Sequence, residues 1–500
     1  MPRSNFIFVR LKTRILHLHM RYIIVLIFSV VFFFACDNNK DKADTAYIGG
    51  QIINPNNNYI TLKGVEESND TIYLDQQNRF SYEIKNLKAG LYTFTHGGER
   101  QTVLIEANDS LLFRLNTNDF DESLVYTGQG SKKNNYLIKS FLNDEIENNM
   151  FSANHDLEPE EFKNKINSLE QHKLENLSEF ISKNNTSELF EKIARATIKY
   201  NYYHYLEKYP FGHFGNNKLI HVKDLPENFY DYRSEVDFND TSLSGVYSYN
   251  NFINWYFHNT ALKKYYHNGN HHSFDRQALD YNMEKLRLID SIIENETIKN
   301  YILRHATKVF VFNSKSAEQS QSMLNSFLKK STDEKDKIYL KNLVKSTISL
   351  YPGNPIPNIK VVDFQDKTHN LRSLINNPTV VYCWSSNFKM HYRNSHYMMK
   401  SLKARYPEVD FIAININDMD SNSWKETLKL LKYPKNNEYM FKNPNEAIQT
   451  FAIALAQKVI LTDNNGIISN SNTNLLSDEI DDEIEKLLAK SEASKIAYTK

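Results

Sequence analysis

Pro378-Thr379-Val380-Val381-Tyr382-Cys383-Trp384-Ser385-Ser386-Asn387-Phe388-Lys389-Met390-His391 decides how the last part of this 500-residue chain is read. The run up to Trp384 is nearly all apolar, the pattern of a strand buried on both faces. Met390, Tyr397, Met398 and Leu402 follow at helical spacing, which predicts a helix. Val409–Ile416 is a second strand candidate, Trp424–Leu431 a helix, and Lys458–Asp463 a third strand. Asn465-Gly466 is a strong hairpin signal, continued by Ile467-Ile468. Asp478–Lys490 is a charged amphipathic closing helix. The order is strand, helix, strand, then helix, hairpin and helix.

Upstream, residues 130–345 read as mostly helical. Leu169, Leu174, Leu177, Phe180 and Ile181 share one face, as do Leu286, Leu288, Ile289, Ile292 and Ile293. Two spots invite a functional reading. His267–His272 carries three histidines, but its Asn and Gly residues read as an exposed loop, whereas a metal site needs three or four ligands on a fixed frame. Lys199–Phe214 is dense in Tyr, Phe and His and could bind a sugar or peptide, although burying rings is their commoner use. Residues 46–127 read as β. Short candidates fall at Tyr47–Ile52, Tyr59–Leu62, Phe80–Ile84, Leu91–Phe94, Val103–Ile105 and Leu111–Leu115, with Gly97-Gly98 as a turn. That spacing predicts a small sandwich or barrel.

Near the N-terminus, Tyr22–Phe34 is an apolar run of 13 residues preceded by Arg21. A bilayer span needs about 20 residues, so the run fits the core of a secretory signal better than an uncleaved anchor. Phe33-Phe34-Ala35-Cys36 ends it and resembles the lipobox of bacterial lipoproteins, in which the cysteine is diacylated and becomes the mature N-terminus. Met20 is an alternative start. Asp37–Asp44 is charged and reads as a solvated tether. Lys plus Arg and Asp plus Glu are both 60, and such a balance excludes the basic excess expected of a nucleic-acid partner. Two cysteines, Cys36 and Cys383, exclude a disulfide framework unless they pair with each other.

The C-terminal order and its Trp384 resemble the TlpA/ResA-like branch of the thioredoxin superfamily, over about 150 residues. Glu106–Ser110, Tyr126-Thr127-Gly128 and Asn134–Leu137 resemble the N-terminal β region of Bacteroidota lipoproteins of that family, where they are turn and packing residues. The resemblance implies two cysteines shortly after the tryptophan, at the start of a helix, and a cis-proline before the third strand. Laid on Trp384, those thiol positions hold Phe388 and His391, and the proline position holds Gln457. Disulfide exchange needs a thiolate attacker and a second thiol to resolve the mixed disulfide. Phe388 is no nucleophile and His391 resolves no disulfide, although His391 could bind a proton or a metal. A cis bond before Gln457 would cost about 2.5–4 kcal/mol, so trans is expected. Cys383 lies inside the strand, where apolar neighbours favour an inert thiol.

The sequence therefore predicts a multidomain α+β protein. Residues 1–35 are a signal peptide, 36–45 a polar tether, 46–127 a small β-sandwich, 128–350 a helical domain, and 351–500 a thioredoxin-like α/β domain. The expected role is a redox-inactive outer-membrane lipoprotein of the cell envelope, lipidated at Cys36. It would bind a peptide or protein in the thioredoxin-like groove or serve as a scaffold, with no cofactor, no metal and no nucleic acid. The rival readings are a thiol-disulfide oxidoreductase acting through Cys383, and a metal or ligand carrier using His267–His272 or His391.

Overall fold

Short runs with one apolar face form eight strands in the first part of the chain: β1 (Ala46–Ile53), β2 (Tyr59–Lys63), β3 (Asn69–Tyr73), β4 (Arg79–Ile84), β5 (Gly90–His96), β6 (Glu99–Ile105), β7 (Ser110–Asn116) and β8 (Val125–Gln129). The computed structural model describes residues 45–498, except 66–68, 154–155, 216–224, 269–273, 417–421 and 454–457. Cys36, its signal and tether, and Gln457 lie outside these residues. The strands make two four-stranded sheets, ordered β4-β1-β7-β8 and β3-β2-β5-β6. Ile48, Ile60, Phe94, Leu111 and Leu115 fill one shared core. β3 and β8 escaped the sequence reading because each buries a single side chain, Ile72 and Tyr126.

Helix α1 (Ser131–Ala153) finishes both sheets. Edge strands leave unpaired backbone groups that must find partners. Asn134 Oδ1 accepts from the Leu104 N–H at 2.8 Å and its Nδ2 donates to the Leu104 carbonyl at 2.9 Å, on edge strand β6. Asn135 does the same for Tyr126 on edge strand β8, both bonds at 2.8 Å. Two adjacent amides thus stand in for a missing strand on each sheet.

Seven further helices follow: α2 (Pro159–Lys183), α3 (Glu188–His213), α4 (Tyr247–Asn268), α5 (Leu279–Ile292), α6 (Glu296–Asn313), α7 (Ala317–Lys330) and α8 (Glu334–Ser349). Ser187, Asn295, Ser316 and Asp333 cap α3, α6, α7 and α8 with side-chain oxygens, the residue types that satisfy free N–H groups at a helix start. The aromatic run Lys199–Phe214 falls mostly within α3, and Tyr202, Tyr209 and Phe211 on it are fully buried. These rings pack into the core of the helical region. His267 and Asn268 continue α4 where a loop was expected; residues 269–273, with His271 and His272, lie outside the described residues.

The last sheet has seven strands, ordered β10-β9-β13-β12-β11-β14-β15. They are β9 (Lys360–Asp363), β10 (Thr368–Asn370), β11 (Thr379–Trp384), β12 (Asp410–Asn415), β13 (Glu438–Phe441), β14 (Val459–Thr462) and β15 (Ile468–Thr473). Helices α9 (Lys389–Arg405), α10 (Ser423–Leu430), α11 (Pro444–Thr450) and α12 (Ile480–Tyr498) accompany it. β11 runs parallel to β12 and antiparallel to β14. Gly466 closes the β14–β15 hairpin at φ 74, the left-handed region where glycine has no steric cost. Side chains alternate across β11. Val381 and Cys383 join the core shared with the helical region, whereas Val380, Tyr382 and Trp384 join one with α9 and α12 residues such as Leu402 and Ile484. The apolar pattern on α9 was misread: Met390 is 69% and Tyr397 77% exposed, and the buried residues are Tyr392, Ser395, His396 and Leu402. β13 and α11 were not anticipated; they span four and seven residues, too short for a periodic signal.

Candidate functional site

The site begins where β11 ends. The Trp384 carbonyl accepts from the Ile416 N–H at 3.0 Å, holding the chain against β12 to its last residue. Ser385 then turns the backbone, its Oγ accepting from the Asn387 N–H at 3.2 Å and its carbonyl from the Phe388 N–H at 3.2 Å. The Phe388 carbonyl accepts from the Tyr392 N–H at 3.0 Å, which starts α9. Phe388 therefore occupies the residue just before the helix, where N–H groups and dipole would stabilise a thiolate. A phenyl ring makes no use of that field.

The ring faces the β-sandwich. A Cβ added at Gly98, in the β5–β6 turn, would stand 2.5 Å from Phe388 Cε1, so only a residue without a side chain lets the ring lie there. Gly98 also sits at φ 89. Next to it, Lys389 Nζ donates to Asn118 Oδ1 at 3.1 Å. The helix start that would present a thiol is thus in contact with this chain's own hairpin.

His391, one turn further on, is half-buried. Its Nε2 lies 3.3 Å from Ser395 Oγ, and its buried Nδ1 has no partner among the described residues. Burial, then nearby His396, lowers its pKa. Among the described residues no three His, Cys, Asp or Glu side chains are placed to hold a metal ion. Phe388 and His391 do come to one helix start; the third motif position, Gln457, lies outside the described residues.

Cys383 is 4% exposed. Burial pushes its thiol up to about 12, against the smaller opposing effect of the Lys458 ammonium. Its N–H donates to the Lys458 carbonyl at 2.8 Å. Lys458 is itself pulled down to about 8 by burial, and its Nζ donates to the Ser471 carbonyl at 2.6 Å. Cys383 points into the core away from Trp384 and α9, on the opposite face of the sheet from the helix start.

The sequence reading missed a buried pair beneath α9. His396 Nε2 lies 3.1 Å from Glu438 Oε1, and both side chains are almost fully buried. His396 Nδ1 lies 2.7 Å from the Tyr392 carbonyl, so Nδ1 must be the donor. The ring is stacked on Tyr433 at 4.3 Å and meets Trp384 edge-on at 5.1 Å. Burial raises the Glu438 pKa, with His396 opposing. Either a protonated carboxyl donates to Nε2 or an imidazolium donates to a carboxylate, and the pair is neutral in both forms. Glu438 lies on unanticipated β13, so only the three-dimensional fold brings it to His396.

Strand β11, helix α9 and strand β12, followed by the β14–β15 hairpin and closing helix α12, make the C-terminal fold thioredoxin-like. Solved structures similar to part of this chain include the thioredoxin domain of a thiol-disulfide oxidoreductase from Bacteroides vulgatus, at 18% identity over 28% of this chain and 98% of that one, with a TM-score of 0.25. A thioredoxin-like protein from Bacteroides caccae is similar at 14% identity over 42% of this chain and 78% of that one, TM-score 0.31. Another from Porphyromonas gingivalis is similar at 15% identity over 27% and 92%, TM-score 0.24. No family profile and no curated protein matches the chain.

Proposed function

We propose that this chain is a lipoprotein of the cell envelope, anchored through Cys36, whose thioredoxin-like region serves in binding or scaffolding and performs no disulfide exchange. On this reading residues 351–500 are the thioredoxin-like unit, carried on a β-sandwich over 46–127 and a helical body over 128–350, and the lipid anchor places it on the outer membrane. The observation that carries it is the helix start. Phe388 stands there in contact with Gly98, while the one thiol among the described residues is buried on the other face of the sheet with its pKa raised. The scaffolding part rests on that same contact, because the surface normally open to a partner meets the chain's own β5–β6 turn.

The purified mature chain should fail to reduce insulin, and native Cys383 should react with a thiol reagent only upon denaturation. Insulin reduction that disappears in Cys383→Ser would instead establish the oxidoreductase. Radioactive fatty-acid labelling lost in Cys36→Ala checks the anchor.

A further inference from the structure

Helices α4, α5 and α6 enclose a cavity of about 70 Å³, lined among others by Asn254, His258, Lys285 and His305, with Ile289 and Ile302 as apolar walls. At about 10–15 Å³ of such space per water molecule this is room for a few waters or a small ion. No acidic residue lines it. Lys285 is 4% exposed, and among the described residues the charge that acts on its ammonium is the like charge of Arg276, with no carboxylate contributing. Its Nζ lies 5.6 Å from the centroid of the Tyr281 ring. His258 Nδ1 is taken by the Tyr281 hydroxyl at 2.7 Å, which leaves Nε2 without a partner among the described residues.

The charges that act on Lys285, His258 and His305 are those of other bases. Arg276 bears on Lys285 and His258 from the loop before α5, while His305, Arg304 and Lys308 stand on α6. Of these, Arg304 is offset by Asp336 at 2.9 Å. An ammonium removed from water without a counter-charge costs several kcal/mol, and burial followed by Arg276 pulls Lys285 down to about 7. Burial also holds His258 well below its ordinary value.

We propose that this cavity binds a small monovalent anion, of the size of a halide or formate, seated on the Lys285 ammonium beside the Asn254 amide. The anion supplies the missing counter-charge, so its binding keeps Lys285 protonated and becomes weaker as pH rises. The surrounding groups His258, His305, Arg276, Arg304 and Lys308 are all bases, so their deprotonation works in the same direction. This site is independent of the function proposed above.

Bromide line broadening in solution tests it on the intact chain at pH 6. A saturable component reversed by formate is expected. Lys285→Met, which keeps the volume and removes the charge, should abolish that component, and Asn254→Leu should weaken it several-fold. Circular dichroism checks that both variants are folded. Absence of a formate-reversible component in the native chain, or its survival in Lys285→Met, overturns the proposal.

Discussion

Glu207 and Lys285 are both charged side chains buried in the helical region, and they are treated in opposite ways. Glu207 is fully buried on α3 and both of its carboxylate oxygens accept hydrogen bonds. Arg233 approaches it twice, Nε at 2.7 Å and Nη2 at 2.5 Å, and Asn259 Nδ2 donates to it at 2.7 Å. Arg233 in turn lies on the Tyr230 ring at 3.8 Å. Lys285, on α5, has a cavity and an aromatic face in place of a carboxylate. The first is a closed structural joint. The second keeps an unmet electrostatic demand, and unmet demands are where ligands go.

Removing each partner should separate the two cases. Glu207→Ala leaves a guanidinium without its carboxylate and should cost about 3–5 kcal/mol, read as a lowered urea midpoint. A loss below about 1 kcal/mol would mean that the pair behaves like a surface bridge and the contrast fails. Lys285→Met should do the reverse and stabilise by about 1–4 kcal/mol at neutral pH in anion-free buffer. A base whose pKa is lower in the folded chain destabilises it progressively as pH falls from the unfolded value of 10.5 to the folded value of about 7. The advantage of Lys285→Met should therefore be largest below pH 7 and fade toward pH 10.5, followed by melting across that range.

The His396–Glu438 pair lies between these extremes, and Glu438→Gln measures where. A glutamine amide can still donate to Nε2 at 3.1 Å, so the variant should stay within about 1 kcal/mol of native. Burial raises the Glu438 pKa above 4.5, and an acid shifted upward adds stability at low pH that is lost as pH rises through the folded value. Thermal melts should thus move in favour of Glu438→Gln between pH 4 and pH 7; the opposite trend would show a stable ion pair.

The alternating and periodic segments were legible in the sequence because each reports one partner surface. Thr379–Trp384 read correctly as a buried strand, and Cys383 correctly as a thiol inside it. The start of α9 was legible too, since the position of Phe388 follows from Trp384 by counting. What Phe388 touches was not, because Gly98 is supplied by another sheet. Lys285 could have been found: it stands four residues after Tyr281 and four before Ile289, both fully buried, on the inward stripe of α5. A lysine on an apolar stripe is the signal. His396 and Glu438 left no such trace, since each looks like an ordinary polar residue until the strands are assembled.

The bond from Lys389 to Asn118 joins residues 271 apart in sequence, and the Phe388 ring on Gly98 is its neighbour. At a synthesis rate of about 5–20 residues per second, the glycine turn waits on the order of tens of seconds for the ring that will touch it. For that interval the β5–β6 turn is held only by contacts within the β-sandwich, such as Asn56 against Gly97, and the joint to α9 closes last.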